Sequence, residues 1–183
     1  WYPFVNLGHY FLAQNAKGAE RDTVIAYMKK GLEGILKRGK TNPFLNGVPF
    51  IWCSNNLVAA AITQCRLYQQ LTGSDEFAEM EASLRDWLFG CNPWGTSMIV
   101  GLPSWGDYPE DPHSSYRDGG KKLAATPGGL VDGPVYSTIY NGLIGIRLSK
   151  EDVYAPFQTT LCVYHDDYGD YSTNEPTMDG TAS

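Results

Sequence analysis

Glu20 to Arg38 reads ERDTVIAYMKKGLEGILKR, with apolar residues Val24, Ile25, Met28, Leu32, Ile35 and Leu36 recurring at steps of three and four. That spacing puts them on one face of a helix of 3.6 residues per turn, and Gly39 stands where a C-terminal cap is expected. Outward from it, Asn42-Pro43 and Asn46-Gly47 mark a turn, and Ile51 to Leu71 forms a second periodic run with Val58, Ala61, Ile62, Cys65 and Tyr68 on one face. Thr72-Gly73 ends it. Ser74 is then predicted as an N-cap, with Asp75 and Glu76 suited to the positive end of the dipole. Phe77, Met80, Leu84, Trp87 and Leu88 make a third stripe before Gly90. Helices joined by short turns predict an antiparallel helix-pair architecture with its chemistry in loops at one end.

From Cys91 to about Tyr136 the sequence is crowded with Gly, Pro, Asp and Ser and has no sustained period. So long a loop carrying Trp94, Trp105, Tyr108, His113 and Tyr116 reads as functional rather than as a linker. Helices are predicted again over Ile139 to Leu148 and Tyr154 to Tyr164. Pro176 suits the first turn of a last helix running to Ser183. A ring of helix pairs must close on itself, and about half a dozen helices do not close one, so the expectation is a piece of something larger.

The composition narrows the class. Of 183 residues 43% are apolar and 13% aromatic, enough for a core with aromatic surface to spare. A net charge of −6 without clustered Lys or Arg argues against nucleic acid. No run of about 18 apolar residues predicts a membrane span. The chain opens on Trp1-Tyr2-Pro3 rather than on Met and a leader, so its start is expected to have been lost or processed. Cys53, Cys65, Cys91 and Cys162 follow no ligand spacing and read as buried free thiols, although an even count leaves disulfides open.

Asp166, Asp167, Asp170 and Glu175 fall within ten residues, interleaved with Tyr164, Tyr168 and Tyr171. One protonated and one ionised carboxyl group can cleave a glycosidic bond, and aromatic faces suit sugar rings. By residue chemistry alone such a loop is more often a solvated turn or a calcium loop. It lacks the Asp-x-Asp-x-Asp-Gly pattern, which moves weight back toward catalysis. His113 can donate to a sugar hydroxyl and Arg117 can orient a carboxylate, although a lone loop histidine is more often merely exposed. Ser114 and Ser115 lie in no nucleophile elbow, and no two histidines have metal-ligand spacing.

At these residues the chain resembles glycoside hydrolase family 9, whose last motif runs aromatic-x-Asp, four residues, aromatic, three residues, Glu, x, small residue. Tyr164, Asp166, Tyr171, Glu175 and Thr177 stand at those places. The Asn usual six residues beyond the acid is Thr181 here. Leu88 to Met98, with Asn92-Pro93, resembles the family's Leu-Gly-x-Asn-Pro-x-Gly-x-Ser motif, and Pro112-His113 its Pro-His. The usual His-x-Arg is absent: Ser115 stands at the arginine's place and Arg117 two residues on. Trp52 and Asn55 echo the family's Trp-Gly-Ser-Asn helix start.

The resemblance implies an all-α fold, part of an (α/α)6 barrel with long active-site loops, with residues 1–183 as the C-terminal portion of a single catalytic domain. It implies inverting hydrolysis of β-1,4-glucan of the endoglucanase type by a secreted, periplasmic or cell-surface enzyme. Glu175 would be the general acid, with His113 and Asp166 beside it in the catalytic group. Arg117, Trp94, Trp105, Tyr108, Tyr116 and Tyr171 would bind sugar. It implies no required cofactor and is compatible with a structural calcium ion. The partners implied are a β-glucan and the N-terminal half of the barrel, since the family's Asp-Ala-Gly-Asp base motif does not occur here. A glucan-binding module without turnover and a calcium-held structural fragment remain the alternatives. Placing Glu175 at a helix N-terminus also sets a problem: the dipole favours the anion, so burial or nearby carboxylates must offset it.

Overall fold

The computed structural model describes residues 7–113, 116–117, 121–122 and 127–177, with backbone alone at 116–117, 121–122 and 177. Helices dominate its regular structure: α1 (Leu7–Asn15), α2 (Gly18–Gly39), α3 (Ser54–Thr72) and α4 (Ala78–Leu88). The chain divides into two units, one of residues 1–48 and 57–85, the other of residues 49–56 and 86–183.

In the first unit α2 buries Val24, Met28, Gly31, Leu32, Ile35 and Gly39, a stripe with the helical period the sequence shows. Gly39 and Gly47 explain the return of the chain. A Cβ on Gly39 would overlap the Leu45 carbonyl, and one on Gly47 would overlap the Ile35 carbonyl, so the turn crosses the end of α2 backbone against backbone. Arg38 Nε donates to the Gly47 carbonyl at 2.7 Å and fastens that crossing. α3 contributes Leu57, Val58, Ala61, Cys65 and Tyr68 to the core, and α4 Met80 and Leu84.

Three details differ from expectation. α1 is a helix that the sequence left unassigned, because its apolar residues Leu7, Phe11 and Leu12 are exposed and give no clean stripe. Ser74 does accept a backbone N–H, from Glu76 at 3.3 Å, but that is a turn; α4 starts only at Ala78. Of the four cysteines, all free, Cys65 and Cys162 are buried, Cys53 is half-buried and Cys91 is exposed.

The second unit is built from loops pinned by short antiparallel pairs. β1 (Tyr116–Arg117) pairs with β2 (Lys121–Lys122), β3 (Leu130–Val131) with β6 (Pro176–Thr177), and β4 (Val135–Tyr136) with β5 (Cys162–Val163). The expected helix over 139–148 is one turn, α5 (Ser137–Tyr140), because Gly142 and Gly145, the latter at φ +91°, break it. The expected helix over 154–164 is a 3-10 turn (Ala155–Phe157), after which Thr159 turns the chain into β5 with its own hydroxyl. Asn92 does the work of a C-terminal cap, its Nδ2 donating to the carbonyls of Trp87 and Thr96 at 2.8 Å each.

Candidate active site

Glu175 lies immediately before β6, not before a helix. Pro176 pairs with Val131 across the β3–β6 ladder, a place that suits a residue without an N–H. The helix expected from Pro176 is therefore corrected at its start; its remainder, 178–183, lies outside the described residues. The dipole argument that rested on a helix starting at Pro176 therefore does not apply, since Pro176 and Thr177 form a strand. Glu175 is half-buried, and burial pushes its pKa above the ordinary glutamate value, with the charge on His113 pulling modestly the other way. Among the described residues no donor binds its carboxylate, which leaves it available.

The segment 164–175 is held by its own acids. Asp166 is buried and accepts the backbone N–H groups of Glu110 (2.9 Å) and Asp111 (3.0 Å) and the Nδ2 of Asn174 (3.0 Å). Asp167 accepts the N–H groups of Ser149, Lys150 and Gly169 and the Ser149 hydroxyl. Asp170 is fully buried and takes His165 Nδ1 at 2.8 Å together with the hydroxyls of Ser172 (2.6 Å) and Thr173 (2.9 Å). Burial raises the pKa of Asp170, but those hydrogen bonds outweigh it and hold the carboxyl below the ordinary aspartate value. Three of the four clustered carboxylates thus organise loops, and Glu175 alone stands clear. Among the described residues no group of three or more His, Cys, Asp or Glu side chains is arranged to hold a metal ion.

His113 joins this segment through its backbone N–H, which donates to the Asn174 carbonyl at 3.0 Å. Its ring Nδ1 is 2.5 Å from the Tyr168 carbonyl, which can only accept, so Nδ1 donates there whether the ring is neutral or charged, and Nε2 is the nitrogen left for a ligand. Tyr171 stands edge-on to His113, ring centroids 6.2 Å apart, and stacks on Trp52 at 6.1 Å with the planes 16° apart. Trp52 is 43% exposed. It forms an aromatic surface with Tyr171, which the resemblance assigns to sugar binding; Trp52 itself is not among the site residues that the resemblance implies.

The other aromatic candidates separate. Trp94 is only 4% exposed, meets Trp87 and Tyr164 edge to face, and donates its indole N–H to Gln158 Oε1 at 3.2 Å. Its ring is packed in the core, where it has little surface to offer a sugar. Trp105 is 88% exposed and Tyr108 half-buried. The side chains of Tyr116 and Arg117 lie outside what is described; their backbones form β1, paired with Lys122 and Lys121.

No described helix is long and apolar enough to cross a membrane. Among curated protein sequences, none matches the chain. Among solved structures, a zinc-binding triple mutant of the family 9 endoglucanase J30 superimposes with a TM-score of 0.70 at 24% identity, over 96% of this chain and 32% of that one. AaCel9A in complex with cellobiose-like isofagomine gives 0.60 at 24%, over 87% and 29%, and a family 9 protein of Bacteroides ovatus 0.62 at 20%, over 92% and 29%. These likenesses establish the fold, all-α and part of an (α/α)6 barrel. The chain spans about a third of the length of the structures it matches. The sequence profile described as glycosyl hydrolase family 9 matches residues 5–183, and the chain belongs to that family.

Proposed function

We propose that the chain supplies the general acid of an inverting β-1,4-glucan hydrolase of the endoglucanase type, and that Glu175 is that acid. The observation that carries this is the state of Glu175: its pKa is raised by burial, and its carboxyl is left out of the hydrogen-bond network that occupies Asp166, Asp167 and Asp170. A raised pKa favours the protonated form that a general acid must have.

In the single displacement, water attacks the anomeric carbon while the bond from that carbon to the departing sugar oxygen breaks. Glu175 passes its proton to that oxygen, and a base on the opposite ring face takes the proton of the water, the two carboxyls about 6.5 to 9.5 Å apart. His113 offers Nε2 to a sugar hydroxyl beside Glu175, and Tyr171 with Trp52 offers a flat face to the ring. Asp166 acts at one remove, by fixing Asn174 next to the acid.

The base motif of the family is not in this sequence, so on this reading residues 1–183 alone are inactive. Turnover by a mass-confirmed preparation of those residues would contradict that. A polysaccharide substrate places the enzyme outside the cytoplasm or on the cell surface.

The test is Glu175→Gln in the complete natural polypeptide. Hydrolysis of cello-oligosaccharides should fall about 10²- to 10⁴-fold, the usual worth of a positioned general acid. The wild-type product should be released with inverted anomeric configuration by proton NMR. A variant retaining most of its activity, or a retained configuration, would rule the assignment out.

A further inference from the structure

We propose that Asn55, at the start of α3, acts with Gly133 as a positioning device for Glu175, an inference that rests on the reading of Glu175 as the acid. Asn55 is fully buried, and its two N–H donors both serve the segment 131–134. Its backbone N–H donates to the Asp132 carbonyl and its Nδ2 to the Val131 carbonyl, both at 2.9 Å, while Oδ1 accepts the Trp87 indole N–H at 3.4 Å. The neighbouring Ser54 hydroxyl donates to the Pro134 carbonyl at 2.7 Å. The start of α3 therefore fixes three carbonyls of the segment 131–134.

That segment in turn holds the backbone around Glu175 at three points. Val131 pairs with Pro176, the Asp132 N–H donates to the Glu175 carbonyl at 2.8 Å, and the Gly133 N–H donates to the Thr173 carbonyl at 3.0 Å. Glu175 takes its place from 131–133, which takes its own from Asn55. Gly133 is the other half of the device: it sits at φ +86°, and a Cβ there would overlap the Asn55 side-chain amide. The amide occupies the space a Cβ on Gly133 would need, so a side chain there would displace the segment 131–134 that holds the backbone of Glu175. Burying a primary amide costs free energy unless its hydrogen bonds are made, and an apolar side chain would fill the space without that requirement. What the amide adds is direction.

A residue that only holds the fold and one that aims the acid are separated by leaving group. In the complete natural polypeptide, cellotetraose and 2,4-dinitrophenyl β-cellobioside are compared; the first leaving oxygen needs a proton and the second departs as a stable anion. Asn55→Ala should lower kcat on cellotetraose about 10- to 100-fold, with KM within about twofold, and change the dinitrophenyl substrate by less than about threefold. Gly133→Ala should show the same split. Equal losses on both substrates, or no loss on either, overturn the proposal. Asn55→Asp, which keeps an oxygen for Trp87 and removes the donor to Val131, is scored in the same way if Asn55→Ala is recovered unfolded. If neither folds, the residue is structural and the proposal falls. Glu175→Gln serves as the reference: if it shows no split, the acid assignment is wrong; if it does and Asn55→Ala does not, only the role of Asn55 is lost.

Discussion

The Nδ2 of Asn174 donates to Oδ1 of Asp166 at 3.0 Å, joining the residue before the candidate acid to a buried carboxylate nine positions before that acid. The same carboxylate receives two backbone N–H groups from the Glu110–Asp111 turn, next to His113. Asp166 thereby gathers both sides of the site. Asp166→Ala should destabilise the complete polypeptide by about 3 kcal/mol, since hydrogen bonds to a charged group contribute about 1.5–3 kcal/mol each and do not add fully. Urea unfolding measures the loss, and amide exchange at Glu110 and Asp111 should accelerate more than at α2. Unchanged exchange at those two amides would contradict the anchoring role.

Asp170 has a definite pH signature. Its folded pKa lies below the unfolded value, burial notwithstanding, because His165, Ser172 and Thr173 bind the anion. A depressed carboxyl pKa contributes stability that is present above the unfolded pKa of about 3.9 and lost as pH falls through the folded one. Asp170→Asn should therefore unfold at lower urea than wild type at pH 7, by about 2 kcal/mol. The gap should narrow below about pH 4. A gap of constant size down to pH 3 would show that the charge of Asp170 is not what stabilises the loop.

Glu175 carries the opposite sign. Burial raises its pKa, and the charge of His113 lowers it. Activity that needs protonated Glu175 is lost as pH rises through that pKa, so the alkaline limb of kcat reports it. His113→Asn removes the cation while keeping a side-chain amide that can donate to the Tyr168 carbonyl. Whatever the fall in rate, the alkaline limb should move to higher pH. A limb that stays put or moves down would mean that His113 exerts no electrostatic pull on the acid.

How far the sequence could be read follows from the range of each interaction. α2 was legible because Val24, Met28, Leu32 and Ile35 repeat a local period, and a stripe of that kind needs no distant partner to be recognised. Pro176 is ambiguous in sequence because a missing N–H suits a first helical turn and a short ladder alike, and only Val131, 45 positions away, decides between them. The acidic cluster was legible as a cluster. That Asp166 serves Glu110 and Asp111, across separations of 56 and 55 residues, is a tertiary fact with no local sign.

The tryptophans give the last test, because composition treats them alike and the fold does not. Trp52 is 43% exposed and stacks on Tyr171, whereas Trp94 is 4% exposed between Trp87 and Tyr164. If sugar rings lie on the Trp52–Tyr171 face, Trp52→Ala in the complete polypeptide should raise KM for cellotetraose about tenfold, the scale of one aromatic stacking contact. Its melting temperature should fall less than that of Trp94→Phe, since Trp52 is 43% exposed and Trp94 4%. Trp94→Phe should do the reverse: KM within about twofold of wild type, with a lower melting temperature, because it loses the indole hydrogen bond to Gln158 and leaves a gap beside Tyr164. Gln158 also accepts the N–H of Tyr164, so the loss should spread to the segment that leads to Asp166. If Trp94→Phe proves the binding-defective variant and Trp52→Ala the unstable one, the assignment of the two rings is reversed.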